Sequence, residues 1–303
     1  MSIFNRAGWA EEGRRQQSQE RLENGELPLE AEGRLYHLKQ SKRFFSSGIN
    51  PSELWTLVDR GIRPVAQVTG SAVFRLGWTP DPLAVSTEML LTSHGYDEVR
   101  AKALARLTQE ALKLGAHGVV DIELISKRPN ESGDLRDDTV EVSAQGTAIV
   151  WDQVKPPDRP FLTTISAIDL IKLMDGGALP VGVVAATSVW YEVAGFDTRW
   201  AFQSPTLGRS AAAYNSELKD YSEALYTARN LALDRIERQA SLLEASGILG
   251  ITADYRLIPH EVEIENQGTK ERRHDLIVEF TVIGNAIRDI HGKDVDIDYA
   301  VVL

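Results

Sequence analysis

The sequence predicts an α+β fold made of two tandem copies of one βαββ unit, each copy preceded by a short helix. Three observations carry this reading. Residues 50–74 and 166–190 match at a spacing of 116 (Asn50 to Ser166), with Leu54/Leu170, Asp59/Asp175, Gly61/Gly177, Pro64/Pro180, Val68/Val184 and Val73/Val189 among the identities. Two long amphipathic stretches follow the matched segments, one with Val99, Ala103, Leu107, Ala111 and Leu114 on one face, the other with Leu225, Ala228, Ala232, Ile236 and Leu243. Each half then closes on an alternating strand, Val140 to Val150 in the first and Val278 to Ala286 in the second, at a spacing of 138 (Val140 to Val278).

Taken in order, residues 1–45 read as a helical leader. Glu11 to Leu22 is rich in good helix formers, Asn24-Gly25 and Pro28 interrupt it, and a second helical stretch runs from Leu29 to Phe44. The first piece is too polar to form a core, so it is expected to be a solvated arm or to pack on a neighbouring subunit. The first unit spans 46–152. Asn50 with Glu53, and Ser166 with Asp169 in the copy, have the spacing of a capping box. Pro51 suits the first helical turn, and Gly61 and Gly177 suit the left-handed position that ends a helix. Such helices, about ten residues long, need packing to persist.

A strand rich in Val, Ala and Thr comes next, then a loop holding Trp78 in the first copy and Trp200, Phe202, Pro205 and Gly208 in the second. The long helices end at Gly118 and Gly247, a spacing of 129, so the second loop gained residues, as loops tolerate. The strand after the first helix alternates Val120, Ile122 and Leu124 with Asp121 and Glu123, which predicts one wet face. Polar hairpins are expected at 127–138 and 259–274. Residues 153–160, with Pro156, Pro157 and Pro160, read as a stiff linker; the second unit spans 161–290, and an acidic tail covers 291–303.

With 303 residues, 43% of them hydrophobic, the chain can bury one large core or two ordinary ones, and the repeat favours two. The absence of cysteine removes disulfides, thiolate metal sites and cysteine nucleophiles. The polar N-terminus is unlike a signal peptide and no run reaches membrane-spanning length, which predicts a cytoplasmic protein without membrane contact. A net charge of −11 argues against a nucleic-acid partner, since phosphate binding requires clustered Lys and Arg.

The second half, with Pro180-Val181-Gly182-Val183-Val184, Ala228-Arg229, Gly247-Ile248-Leu249-Gly250-Ile251 and Phe280-Thr281-Val282-Ile283-Gly284-Asn285-Ala286, resembles the YbjQ-like family, whose members carry a heavy-metal-binding label. The first half is similar through Pro64-Val65, Gly115-Ala116-His117-Gly118-Val119-Val120 and Gly146-Thr147-Ala148, and departs where Val99-Arg100 replaces the usual Ala-Arg. The resemblance implies small βαββ units like dodecin subunits, assembling into closed, commonly pentameric rings. A three-stranded sheet with one helix covers one face only, so assembly agrees with the physics.

Candidate sites are few. His117, near Asp121 and Glu123, is the best nitrogen for a metal among six histidines, yet no close histidine pair exists, and soft metals prefer thiolates. Asp294, Asp296 and Asp298 imitate the start of a calcium loop without its glycine or closing glutamate; they read as a charged edge. Gly176-Gly177 ends a helix and cannot cradle phosphate as a helix start does. Ser210 lacks a nucleophile elbow. Arg229 is expected to pair with Glu217 or Glu223, and Trp190, Tyr191, Trp200 and Phe202 to pack in the core or an interface. No catalytic, cofactor-binding or metal residues are therefore assigned, and no cofactor is expected. The expected function is non-enzymatic homo-oligomeric assembly, ring-like, with paired units completing each other's sheets. Metal or small-ligand sequestration at subunit interfaces is the alternative.

Overall fold

The computed structural model describes residues 3–40, 46–77, 85–127, 139–152, 154–202, 216–266 and 269–289 of the chain. It is a mixed α+β structure with two four-stranded sheets. The leader forms α1 (Ile3–Glu23) and α2 (Leu29–Gln40). The first half continues as α3 (Pro51–Asp59), β1 (Ile62–Arg75), β2 (Thr87–Glu88), α4 (Leu90–Lys113), β3 (Gly118–Lys127) and β4 (Thr139–Trp151). The second half runs β5 (Phe161–Leu162), α5 (Ala167–Asp175), β6 (Ala178–Glu192), α6 (Phe196–Phe202), α7 (Lys219–Leu242), β7 (Gly247–Asn266) and β8 (Thr269–Asp289).

The first sheet has the order β1-β4-β3-β5 and the second β2-β6-β8-β7. Each sheet thus takes a two-residue strand from the other half of the chain. Thr87 and Glu88 lie antiparallel to Tyr191 and Trp190, while Phe161 and Leu162 run parallel to Gly118 and Val119. The three long strands of each sheet pair antiparallel, with matching irregularities: β1 slips between Pro64 and Ala66, and β6 between Pro180 and Gly182.

The local signals work unevenly. Gly61 and Gly177 close their helices with φ of 71° and 87°. Ser166 caps α5, accepting from the Asp169 amide at 3.2 Å. Asn50 stands at the N-cap of α3 without a side-chain cap bond, with Pro51 in the first turn and the Leu54 amide donating to the Asn50 carbonyl.

Alternation fails in the middle of β3. Asp121 sits at φ 53° where the register with β4 shifts between Val120 and Glu123, so an extra residue bulges out. Val119 and Ile122, three residues apart, consequently share one cluster, while Val120 lies in another. The polar hairpin expected at 259–274 is the outer part of a longer strand pair: β7 and β8 stay paired from Gly247/Ile287 to Asn266/Thr269. Most of the counterpart expected at 127–138 lies outside the described residues. The second-half loop with Trp200 and Phe202 is the short helix α6; Pro205, Gly208 and Ser210 lie outside the described residues, as does the tail from 290 with Asp294, Asp296 and Asp298.

The first leader piece, 11–22, is mostly exposed, with Ser18 its one buried residue, whereas the second is anchored on the first half. Leu27 and Leu35 are buried, Arg34 pairs with Glu110 of α4 at 3.2 Å and donates to the Gln67 carbonyl, and Glu32 bonds Lys113. Burial holds Glu110 above its ordinary value of 4.5, against bonds from the Thr69 amide and Arg34 that pull it down. A carboxyl raised in this way binds its proton more tightly folded than unfolded. Stability should therefore fall as pH rises from 4.5 through the raised value; in Glu110→Gln, urea titrations across that range should show a flatter dependence.

Helix α4 packs on β1 so closely that a β-carbon on Gly70 would stand 2.5 Å from the Leu107 nitrogen and nearer still to the Ala103 carbonyl. Backbone on both sides leaves nothing to yield, so Gly70→Ala should lose about 1–3 kcal/mol of unfolding free energy, measurable by chemical denaturation.

Candidate functional site

The seam where α4 meets the second sheet gathers most of the buried polar chemistry. Tyr96, Val99 and Met89 share one apolar cluster with Val189, Tyr191 and Ile277, so α4 has one side on its own sheet and another on β6. The outward peptide groups of β6 are met one after another by the first half. The Met89 amide donates to the Val189 carbonyl at 2.8 Å, and Ser93 Oγ accepts from the Val189 amide at 2.9 Å while donating to Glu88 at 2.9 Å. Asp97 accepts from the Thr187 amide at 3.2 Å. Arg100 then bridges Asp97 at 3.0 Å and Thr187 Oγ1 at 2.5 Å. Its guanidinium is drawn below its ordinary value by burial, with Asp97 acting in opposition.

From the other side, Arg235 of α7 donates to the Thr187 carbonyl at 2.9 Å and to Glu88 at 2.5 Å. That ion pair is largely out of water, with side chains 17% and 12% exposed, so its geometry counts for more than a surface pair. Asn285 adds a further tie, accepting from Thr163 at 2.9 Å and from the Thr164 amide at 2.7 Å. Beside this seam lies a cleft of about 640 Å³ lined by Arg100, Leu104, Val183, Gln239 and Arg288 among others.

A second buried cluster closes the far end of the second sheet. Asp275 is 1% exposed and receives Arg273 at 2.7 Å, the Ala194 amide at 3.0 Å and the Tyr191 hydroxyl. Burial, then Asp275, push the Tyr191 phenol up to about 12; burial, then neighbouring carboxylates, do the same for Tyr221. Every oxygen of Asp275 is satisfied within the chain, so the arrangement clamps the start of α6 and offers no open acid.

The residues singled out by sequence fall in different places. His117 is buried, its Nδ1 accepting from the Trp151 amide at 3.2 Å and its Nε2 facing the Val154 carbonyl at 3.1 Å. Both ring nitrogens are engaged by backbone, and Asp121 and Glu123 point to solvent, so the three do not converge. Among the described residues, no group of three or more His, Asp or Glu side chains could hold a metal ion. Arg229 corrects its expectation: it lies over the Tyr226 ring at 4.8 Å and reaches Asn230, while Glu217 accepts from Ser222. Stacking wins because Tyr226, three residues earlier, lies on the same helical face. Tyr191 is core, Trp190 is half-buried and donates to Glu192, Trp200 stacks on Phe196 while 61% exposed, and Phe202 lies against His274. Arg100 and Arg235 escaped the sequence reading; a lone arginine on an apolar helix face was their one visible sign.

Residues 85–152 match the model of a family described as "Putative heavy-metal-binding". The chain is 27% identical over 261 residues to an encapsulin nanocompartment protein of Mycobacterium tuberculosis, covering 83% of this chain and 94% of that one. It is also 40% identical over 67 residues to a UPF0145 protein of Helicobacter hepaticus, covering 20% of this chain and 65% of that protein. No solved structure matches. No helix among the described residues is long and apolar enough to cross a membrane.

Arg100→Ala would leave Asp97 in the seam without its cationic partner. The loss should be about 3 kcal/mol, the scale for removing one partner of a buried ionic group, read as a lower urea midpoint with an unchanged slope.

Proposed function

We propose that this is a non-enzymatic, cytoplasmic self-assembling protein, built from two tandem YbjQ-like units at 46–152 and 161–290 that associate with further copies into a ring or closed particle. The observation that carries this reading is the surface left bare on the second half. Strand β7 is an outer strand of 20 residues, and along it Leu249, Ile251, Tyr255 and Leu257 are each 44–54% exposed. A long apolar edge of this kind attracts other chains unless something covers it. The order short helix, long strand, long helix, two long strands common to both halves, and the shared slips in β1 and β6, support duplication. The nanocompartment name of the M. tuberculosis relative, which aligns along most of both chains, supports assembly.

Mass photometry of the purified protein should find particles at multiples of the 33.6 kDa chain mass. A species confined to 33.6 kDa at micromolar concentration would overturn the proposal.

A further inference from the structure

Resting on the assembly reading above, the geometry points to the surface that joins one copy to the next: the lead-in to α7 of one chain docks on the free edge of β1 in a second copy, as the lead-in to α4 docks on β6 within the chain.

The internal seam has a donor side and an acceptor side, and both recur elsewhere without a matching surface among the described residues. The donor side is Glu88, Met89, Ser93 and Arg100. At a spacing of 129 stand Glu217, Leu218, Ser222 and Arg229. The second set is already in the shape of the first. Ser222 donates to Glu217 at 2.8 Å as Ser93 does to Glu88 at 2.9 Å. The residue before each helix has nearly the same backbone, φ −85° and ψ 74° at Met89, φ −85° and ψ 87° at Leu218. Yet Glu88 and Arg100 are engaged in the seam, whereas Glu217 and Arg229 are exposed.

The acceptor side is Thr187, Val189 and Arg235. Its counterparts are Ser71 and Val73, at a spacing of 116, and Arg106, at a spacing of 129. Arg106 donates to the Ser71 carbonyl as Arg235 does to that of Thr187. Val189 is 1% exposed beneath the first half, while Val73 is 64% exposed. The leader meets the β1 edge at Gln67 through Arg34, Ser46, just after the leader, takes the Gln67 amide, and α4's own Glu110 meets the edge at Thr69. Past Ser71, no group among the described residues plays the part of Met89 or Ser93.

Charge decides the occupant. Arg235 has Glu88, but among the described residues Arg106 has no carboxylate partner and Glu217 no cationic one. Burial also draws the Arg106 guanidinium below its ordinary value. A second copy supplies both absences at once, with Glu217 on Arg106 and the Leu218 and Ser222 groups on the Val73 peptide. The contact is head to tail, so each chain offers one donor and one acceptor surface and the assembly propagates until it closes.

Charge reversal tests this by mass photometry. Glu217→Arg and Arg106→Glu should each cut the assembled fraction at least tenfold, and mixing the two variants should restore it, because each then offers the other a complementary surface. Since the chain has no cysteine, Ser222→Cys and Val73→Cys variants mixed with a short bismaleimide should give a cross-linked dimer that neither gives alone; this arm stands even where Arg106→Glu unfolds. Assembled wild type, with reversals of undiminished size and no cross-link between 73 and 222, would overturn this surface and leave assembly standing. A monomeric wild type would overturn both.

Discussion

The structure depends on one helix having to satisfy two sheets. Helix α4 buries Ala103 and Leu107 against β1 and presents Tyr96 and Arg100 to β6. A helix buried on two sides has little surface left for polar groups, so whatever polar atoms enter must be bonded there. The glycine at 70, the alanines along the first face and the bonded arginine on the second all answer that requirement. The exchange of β2 and β5 follows from it too: the chain segments entering and leaving α4's neighbourhood already run beside the opposite sheet, and pairing is the cheapest way to satisfy their peptides.

The same economy explains how the outer edges of β1 and β6 are finished. Gln239 takes both the amide and the carbonyl of Ala185; its counterpart Glu110 can only accept, so it takes the Thr69 amide and also receives Arg34 of the leader, which donates to the Gln67 carbonyl as well. A single difference between amide and carboxylate thus gives the leader a charged anchor on the first half. The second half has no such anchor and gives that edge to α4.

Much of the architecture was legible in the residues. The apolar faces of α4, α7, β4 and β8 were read correctly, because burial on one face imposes a period that composition cannot hide. The helix stops at Gly61 and Gly177 were legible because a left-handed backbone favours glycine. The bulge at Asp121 was hidden: the counterpart of that position is Gly250, also at positive φ, and only the glycine advertises it. The hairpin at 259–274 was legible, but the continuity of its strands with the rest of β7 and β8 was not, since a solvent-facing strand pair and a polar loop have similar composition. For the candidate site, the sequence exposed His117 and Arg229, whose surroundings dissolved the expectations placed on them. It kept silent on Arg100, Arg235 and Asp275, whose partners lie 87, 147 and 84 residues away along the chain.

What the sequence determined by itself was local and periodic: which segments are helix or strand, which face each buries, where helices stop, and that the two halves share landmarks at fixed spacings. Those properties rest on neighbours within a turn or a strand pair. Which half's helix lies on which half's sheet was decided only in three dimensions. That choice depends on pairs such as Arg235 with Glu88 and Asn285 with Thr163, where each residue is ordinary alone and becomes structural when burial removes water from both. Tertiary packing engaged the donor and acceptor surfaces at one seam and left their counterparts, Glu217 and Arg106, facing outward.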